Sequence, residues 1–181
     1  MDLETYQLSL YRLVVYGKPA SDDPPYVQAL AGSSRLAVVR EVVHFWRAHG
    51  LERFCILTVI WLKYLRRFEA DIERFVATEK FSPFIEEAGQ QFLQYLANDD
   101  DPIVQSLAKF EIALHETRID PSEKRIVEWP CDPRPILAVI LKENNFIDPK
   151  NTSRYRVTIS RALPGGFVCE PIESNPPAWS G

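Results

Sequence analysis

The chain has 181 residues, room for one sizeable domain with a small appendage, and 46% hydrophobic and 25% charged residues, the balance of a folded protein rather than a disordered one. A formal net charge of −4 and a pI near 5.5 argue against a general nucleic-acid binder, which carries a positive surplus to displace counterions from phosphates. The start "MDLETYQ" is acidic and polar, unlike a secretory signal, and the longest apolar run, near "CILTVIWL" (Cys55 to Leu62), falls far short of the roughly 20 residues that span a bilayer.

In chain order, Leu3, Tyr6, Leu10 and Leu13 recur at helical spacing and define a first helix, which "YGKPASDDPP" (Tyr16 to Pro25) breaks. A second helix is expected from Ser34 to His49, with Leu36, Val39, Val43 and Trp46 on one face and Gly50 as its stop. Leu51 to Glu79 reads as mostly helical with a bend. Its first half is apolar all round, as a buried central helix is. Its second half puts Leu65, Phe68, Ile72 and Phe75 on one face and Arg66, Arg67, Asp71, Glu73 and Arg74 mainly on the solvated side.

Ser82-Pro83, Asp101-Pro102 and Asp132-Pro133 each place a capping side chain before a proline suited to the first helical position. The helices they announce carry Ile85, Ala88, Phe92 and Leu96, then Ile103, Leu107, Phe110 and Leu114, then Ile136, Leu137, Ile140 and Leu141.

After Thr117 the pattern changes. "RIDPSEK" is a linker, and "RIVEWP" alternates as a strand. Beyond the Asp132 helix and the polar loop "KENNFIDPKNTS" comes a hairpin, "RYRVTISRALPGGFVCEPIE" (Arg154 to Glu173). Tyr155, Val157 and Ile159 face one way and Arg156, Thr158 and Ser160 the other. Leu163-Pro164-Gly165-Gly166 suits a type II turn. The expectation is an α+β fold: a helical domain over 1–117, a small βαββ module with a three-stranded sheet over 118–173, and a mobile tail over 174–181.

No phosphate-binding loop, dinucleotide glycine pattern or nucleophile elbow appears, and no catalytic residue is assigned. Cys55, Cys131 and Cys169 are odd in number and widely spaced, which suits reduced, mostly buried thiols in the cytoplasm; no His or Arg is patterned to activate Cys169. Glu111 and His115, four apart on one helix, are the best pair for a metal, but no second Glu-x-x-His copy completes a bundle site, and a helix-flank ion pair explains them as well. His44 and His49 sit near the expected end of the second helix, where the dipole favours them. "KYLRRFEADIERF" mixes basic and aromatic residues, but interleaved acids mark it as a solvated amphipathic helix. The pattern implies no cofactor and no metal bound by this chain.

The hairpin offers a different chemistry. An open three-stranded sheet has two edges with unpaired backbone donors and acceptors, and an extended peptide can add there as a further strand. Arg154 and Arg156 beside such an edge suit an acidic peptide.

"YRVTISRALPGGF" (Tyr155 to Phe167), "VEWPCDPRPILAVIL" (Val127 to Leu141) and the helical "FIEEAGQQFLQYLANDDDPIVQSLAKFEIALHET" (Phe84 to Thr117) resemble a bacterial group labelled as DNA-binding-domain proteins. That group includes the small partner subunit of the methanobactin-type, multinuclear non-haem iron peptide-modifying enzymes. The resemblance covers the last half of the chain, and the first half only in helical character. It implies a non-catalytic accessory subunit whose helical domain docks on an iron enzyme, the enzyme supplying the metal ligands. The C-terminal sheet would hold the leader of a precursor peptide in ribosomal peptide natural-product biosynthesis, with Arg154, Tyr155, Arg156, Val157, Thr158 and Ile159 contributing the surface. The alternative is a DNA-binding or regulatory protein, against which the acidic balance counts. An independent enzyme using Glu111 and His115 is the third expectation.

Overall fold

The structure, a computed structural model, describes residues 2–78, 82–142 and 153–172. The expected tail, most of the polar loop before the hairpin, and the ends at Glu79 and Glu173 lie outside the described residues.

Asp2 opens α1 (Leu3–Tyr16) by accepting the Thr5 N–H at 2.7 Å, and Gly17, at φ 69°, closes it in the left-handed conformation that glycine adopts without strain. Asp23 accepts the Ala20 N–H at 2.7 Å and the Ser9 hydroxyl, tying the following loop back to α1. A short α2 (Pro25–Ala31) follows, begun by Pro25 at its first position.

Ser33 then caps α3 (Ser34–Phe54), which passes straight through Gly50. Gly50 is buried within the helix and has no left-handed φ, so it does not act as a stop; a Cβ there would meet Ile85 of a later helix at an ordinary contact distance of 3.4 Å. His44 and His49 are therefore interior helix residues, beside Glu69 at 3.6 Å and Glu52 at 3.9 Å respectively.

α4 (Ile56–Tyr64) and α5 (Phe68–Thr78) flank the expected bend, where Arg66 takes φ 57°. Phe68, Ile72 and Phe75 are buried as their spacing requires. Asp71, assigned to the solvated side, is instead fully buried: it accepts hydrogen bonds from Arg67 and Arg74, and Arg67 also reaches Asp99 at 2.7 Å. A buried carboxylate persists when it is paired and hydrogen-bonded, as here.

α6 (Ile85–Leu96) begins two residues later than Ser82-Pro83 suggests, because the Ser82 hydroxyl turns the preceding loop by accepting the Phe84 N–H at 3.2 Å. Gly89 lies against Phe54 so closely that a Cβ would fall 2.1 Å from its ring, which is what lets α6 approach α3. α7 (Pro102–Ile119) starts as expected, with Asp101 accepting from Ile103 N–H at 2.9 Å and Val104 N–H at 3.3 Å.

β1 (Arg125–Trp129), α8 (Arg134–Ile140), β2 (Tyr155–Ile159) and β3 (Phe167–Pro171) complete the described elements. α8 starts one residue after Pro133, with Asp132 accepting the Arg134 N–H at 3.0 Å. The hairpin turn has Gly165 at φ 71°, ψ 2°, the third-position conformation of a type II turn, with Gly166 N–H donating to Leu163 O at 2.9 Å.

The fold is thus α+β: eight helices among the described residues and an antiparallel sheet in the order β1-β2-β3. One hydrophobic cluster runs through both parts, from Leu51, Leu62 and Phe92 to Trp129, Ile136 and Val157. No helix among the described residues is long and apolar enough to cross a membrane.

Glu111, at the middle of α7, fastens that helix to α4. Its two carboxylate oxygens accept the Leu57 and Thr58 N–H groups, each at 2.9 Å, so a side chain from another helix supplies the N-terminal cap that Cys55 does not. Burial pushes the carboxyl pKa above its usual range, and the Thr58 and Leu57 bonds oppose that shift.

Glu111→Ala is expected to lower stability by about 2–4 kcal/mol in urea unfolding, since it leaves two buried N–H donors unmet and opens a cavity. With the folded pKa raised, the stability owed to protonated Glu111 is complete below the unfolded carboxyl pKa and is lost as pH rises through the folded one. The advantage of wild type over Glu111→Gln should therefore shrink as pH increases across that window; an advantage that grows would contradict the assignment.

Candidate functional site

In β1, β2 and β3 odd-numbered residues point toward the helices and even-numbered residues toward solvent. Val127, Trp129, Tyr155, Val157 and Ile159 are buried; Ile126, Glu128, Arg156, Val168 and Glu170 are exposed. The same alternation governs the backbone. Arg154 O accepts Ile172 N–H at 2.8 Å and Ser160 N–H donates to Gly166 O at 3.0 Å, so the even residues of β2 bond toward β3. Its odd residues therefore bond toward β1, engaging Arg125, Val127 and Trp129. Ile126 and Glu128 are left with their N–H and C=O groups directed to the outer edge.

β2 is accordingly the central strand, with both sides of its backbone committed. The residues the sequence singles out are distributed as follows. Tyr155, Val157 and Ile159 are core, with Arg134 stacked over the Tyr155 ring at 5.7 Å. Arg156 lies in register between Glu128 and Glu170, with Thr158 beside it on the outer face. Arg154 is exposed and paired with the Glu128 carboxylate. A strand cannot add to β2; the edges belong to β1 and β3.

The two edges differ. The outward positions of β3 are Phe167, Cys169 and Pro171, and Pro171 has no N–H to offer. β1 instead faces a groove of about 470 Å³ bounded on the far side by α7. Gln105, Ser106, Lys109, Ile112, Ala113 and Glu116, spaced three and four apart, form one stripe of α7 along it.

Two contacts fix the helix beside the strand. At one end Arg125 Nε donates to Glu116 Oε2 at 2.6 Å. At the other the Ser106 hydroxyl lies 3.0 Å from Glu128 O and 2.8 Å from Pro102 O, its single hydrogen serving either carbonyl. The helix and strand therefore run antiparallel. Beneath them Trp129 packs edge-on against Phe110 at 6.1 Å, which anchors the strand's inner face.

The α7 contribution was not among the sequence expectations. The helical stripe itself is visible in the spacing, but nothing in the sequence pairs it with β1 rather than with another helix.

The other candidates resolve into structure. Glu111 is the α4 cap, and His115 stacks on Phe54 at 4.4 Å, with burial holding its pKa below the ordinary imidazole value. Burial also pushes the Cys55, Cys131 and Cys169 thiols up, away from the reactive thiolate. Among the described residues no group of three or more His, Cys, Asp or Glu is arranged to hold a metal ion. Comparison with protein-family models, curated proteins and solved structures finds no match for this chain.

A second surface stands out on α3. The first half of α3 presents Val38, Val39, Val42, Phe45 and Trp46 to solvent; Trp46 is 63% exposed and Phe45 61%. Val39 and Trp46 belong to the face the spacing assigns to the core. The core cluster begins only at Ala48 on this helix, so the earlier turns project past it with an apolar face uncovered.

The edge assignment is testable by paired substitutions. Val157→Pro removes a ladder donor from the central strand and should cost about 3 kcal/mol or more. Ile126→Pro removes a donor that faces outward and should stay within about 1 kcal/mol of wild type in urea unfolding. Equal losses would show that the Ile126 N–H is committed inside the fold.

Proposed function

We propose that this chain is a non-catalytic partner subunit that holds a precursor peptide for an iron-dependent peptide-modifying enzyme. The observation that carries the reading is the β1 edge, unpaired among the described residues and lying beside α7. Such a groove accepts an extended segment as a fourth strand, with main-chain hydrogen bonds on one side and helix side chains on the other. The exposed α3 face, with Phe45 and Trp46 at its centre, supports docking on a partner protein, since contiguous apolar surface of this kind is characteristic of interaction sites. The enzyme would bring the metal and its ligands; this chain would fix the peptide's position.

Magnitudes indicate how the holding must work. Ile126 N–H, Ile126 C=O and Glu128 N–H are the clear outward groups of β1, and at about 1 kcal/mol each they supply roughly 3 kcal/mol. A micromolar complex needs about 8 kcal/mol. Side-chain contacts in the groove, or simultaneous contact with the enzyme, must provide the remainder.

The test is affinity capture of the tagged chain from its native lysate, with metal analysis of the eluate and a parallel Trp46→Glu sample. The proposal expects an iron-loaded protein at equal stoichiometry with wild type and its loss with Trp46→Glu. A metal-free chain that elutes alone overturns the stable-complex form of the proposal.

A further inference from the structure

The lining of the α7–β1 groove is specific enough to say what strand it takes, given the peptide-holding reading on which this rests. Its charges are mostly satisfied internally. Arg125 is bound to Glu116 and to Glu123, each at 2.6 Å, and Arg154 is bound to Glu128. Lys109 is exposed on the groove wall and has no ion pair among the described residues. The unmatched charge of the groove is therefore positive and sits at one place on α7.

One turn further along α7 the wall is Ile112 and Ala113, apolar and low. Four residues of helix advance about 6 Å, and two residues of strand advance about 6.6 Å. Successive same-face side chains of an added strand thus meet successive turns of α7, the first opposite Lys109 and the second opposite Ile112 and Ala113.

Ile126 offers N–H and C=O together, which a neighbour of either direction can satisfy, so the direction is taken from the sheet itself. Both existing pairings of this sheet are antiparallel. A strand antiparallel to β1 runs parallel to α7, from Lys109 toward Glu116. Pro130, which has no N–H, and the contact of Ser106 with Glu128 O limit pairing at the other end of the edge.

We infer that the groove recognises a short extended peptide added antiparallel to β1, with an acidic side chain against Lys109 and, two residues toward its C-terminus, a small aliphatic side chain against Ile112 and Ala113. The pattern is Asp/Glu-x-Val/Ala.

The test is selection from a random heptapeptide display library on the full chain, followed by anisotropy measurements on fluorescent Thr-Thr-Glu-Thr-Val-Thr-Thr and its reversed sequence. Wild type should enrich the pattern and bind the forward probe more tightly than the reversed one. Lys109→Glu should weaken the forward probe about tenfold, and a probe with Lys in place of Glu should recover binding to that variant. Enrichment of an unrelated pattern that still depends on the Ile126 edge, or indifference to Lys109→Glu, overturns this inference and leaves peptide holding intact. A library in which Ile126→Pro changes nothing, because no peptide uses the edge, overturns the peptide-holding reading itself.

Discussion

The structure depends on what α7 does on its two sides. Toward the helical part, Glu111 caps α4 by accepting the Leu57 and Thr58 N–H groups from within the core. Toward the sheet, Ser106 and Glu116 reach β1 at its two ends, and Phe110 packs on Trp129. Neither half is independent of that helix, and a single hydrophobic cluster crosses it. Because contacts on both sides fix α7 against its neighbours, the gap between it and the β1 edge is set by the packing.

That gap arises from sheet topology. Three strands in the order β1-β2-β3 place the strand with the strongest apolar alternation, β2, at the centre, where its backbone is fully used. The exposed edges fall to the two strands with less obvious patterns. β3 ends in Pro171, which blunts its edge, whereas β1 keeps ordinary residues at its outward positions. The apolar face of α3 lies on a different element. Under the proposed partner-subunit reading, Phe45 and Trp46 are the large side chains that contact with a partner would cover.

Much of the fold was legible in the sequence. Period and capping chemistry locate α1, α7, β1 and both hairpin strands, because those signals are local: Asp101 before Pro102, the alternation in 155–159, and the glycines at 165 and 166. The misses share a physical cause. Gly50 does not end α3, since the helix continues to Phe54 with its following residues Leu51 and Cys55 in the core, and Asp71 is buried because Arg67 and Arg74 close over it. α2 begins at Pro25 without a side-chain cap, the Asp23 carboxylate being engaged by Ser9 and Ala20 instead, so its two prolines signal only a break in the sequence. Of the site, the hairpin and its two faces were visible; that Arg154 pairs with Glu128, that Arg156 lies in register between Glu128 and Glu170, and that Lys109 has no ion pair among the described residues depends on strand register and helix placement that spacing alone does not encode.

The openness of the β1 edge can be measured residue by residue through amide hydrogen exchange followed by NMR, in the free chain and with a saturating heptapeptide from the selection. Ile126 and Glu128 should exchange rapidly in the free chain while Val127, Val157 and Ile159 are protected, and the peptide should slow Ile126 without affecting Cys169 on the opposite edge. Protection of Ile126 in the free chain, or peptide-induced slowing at Cys169 instead, would contradict the account.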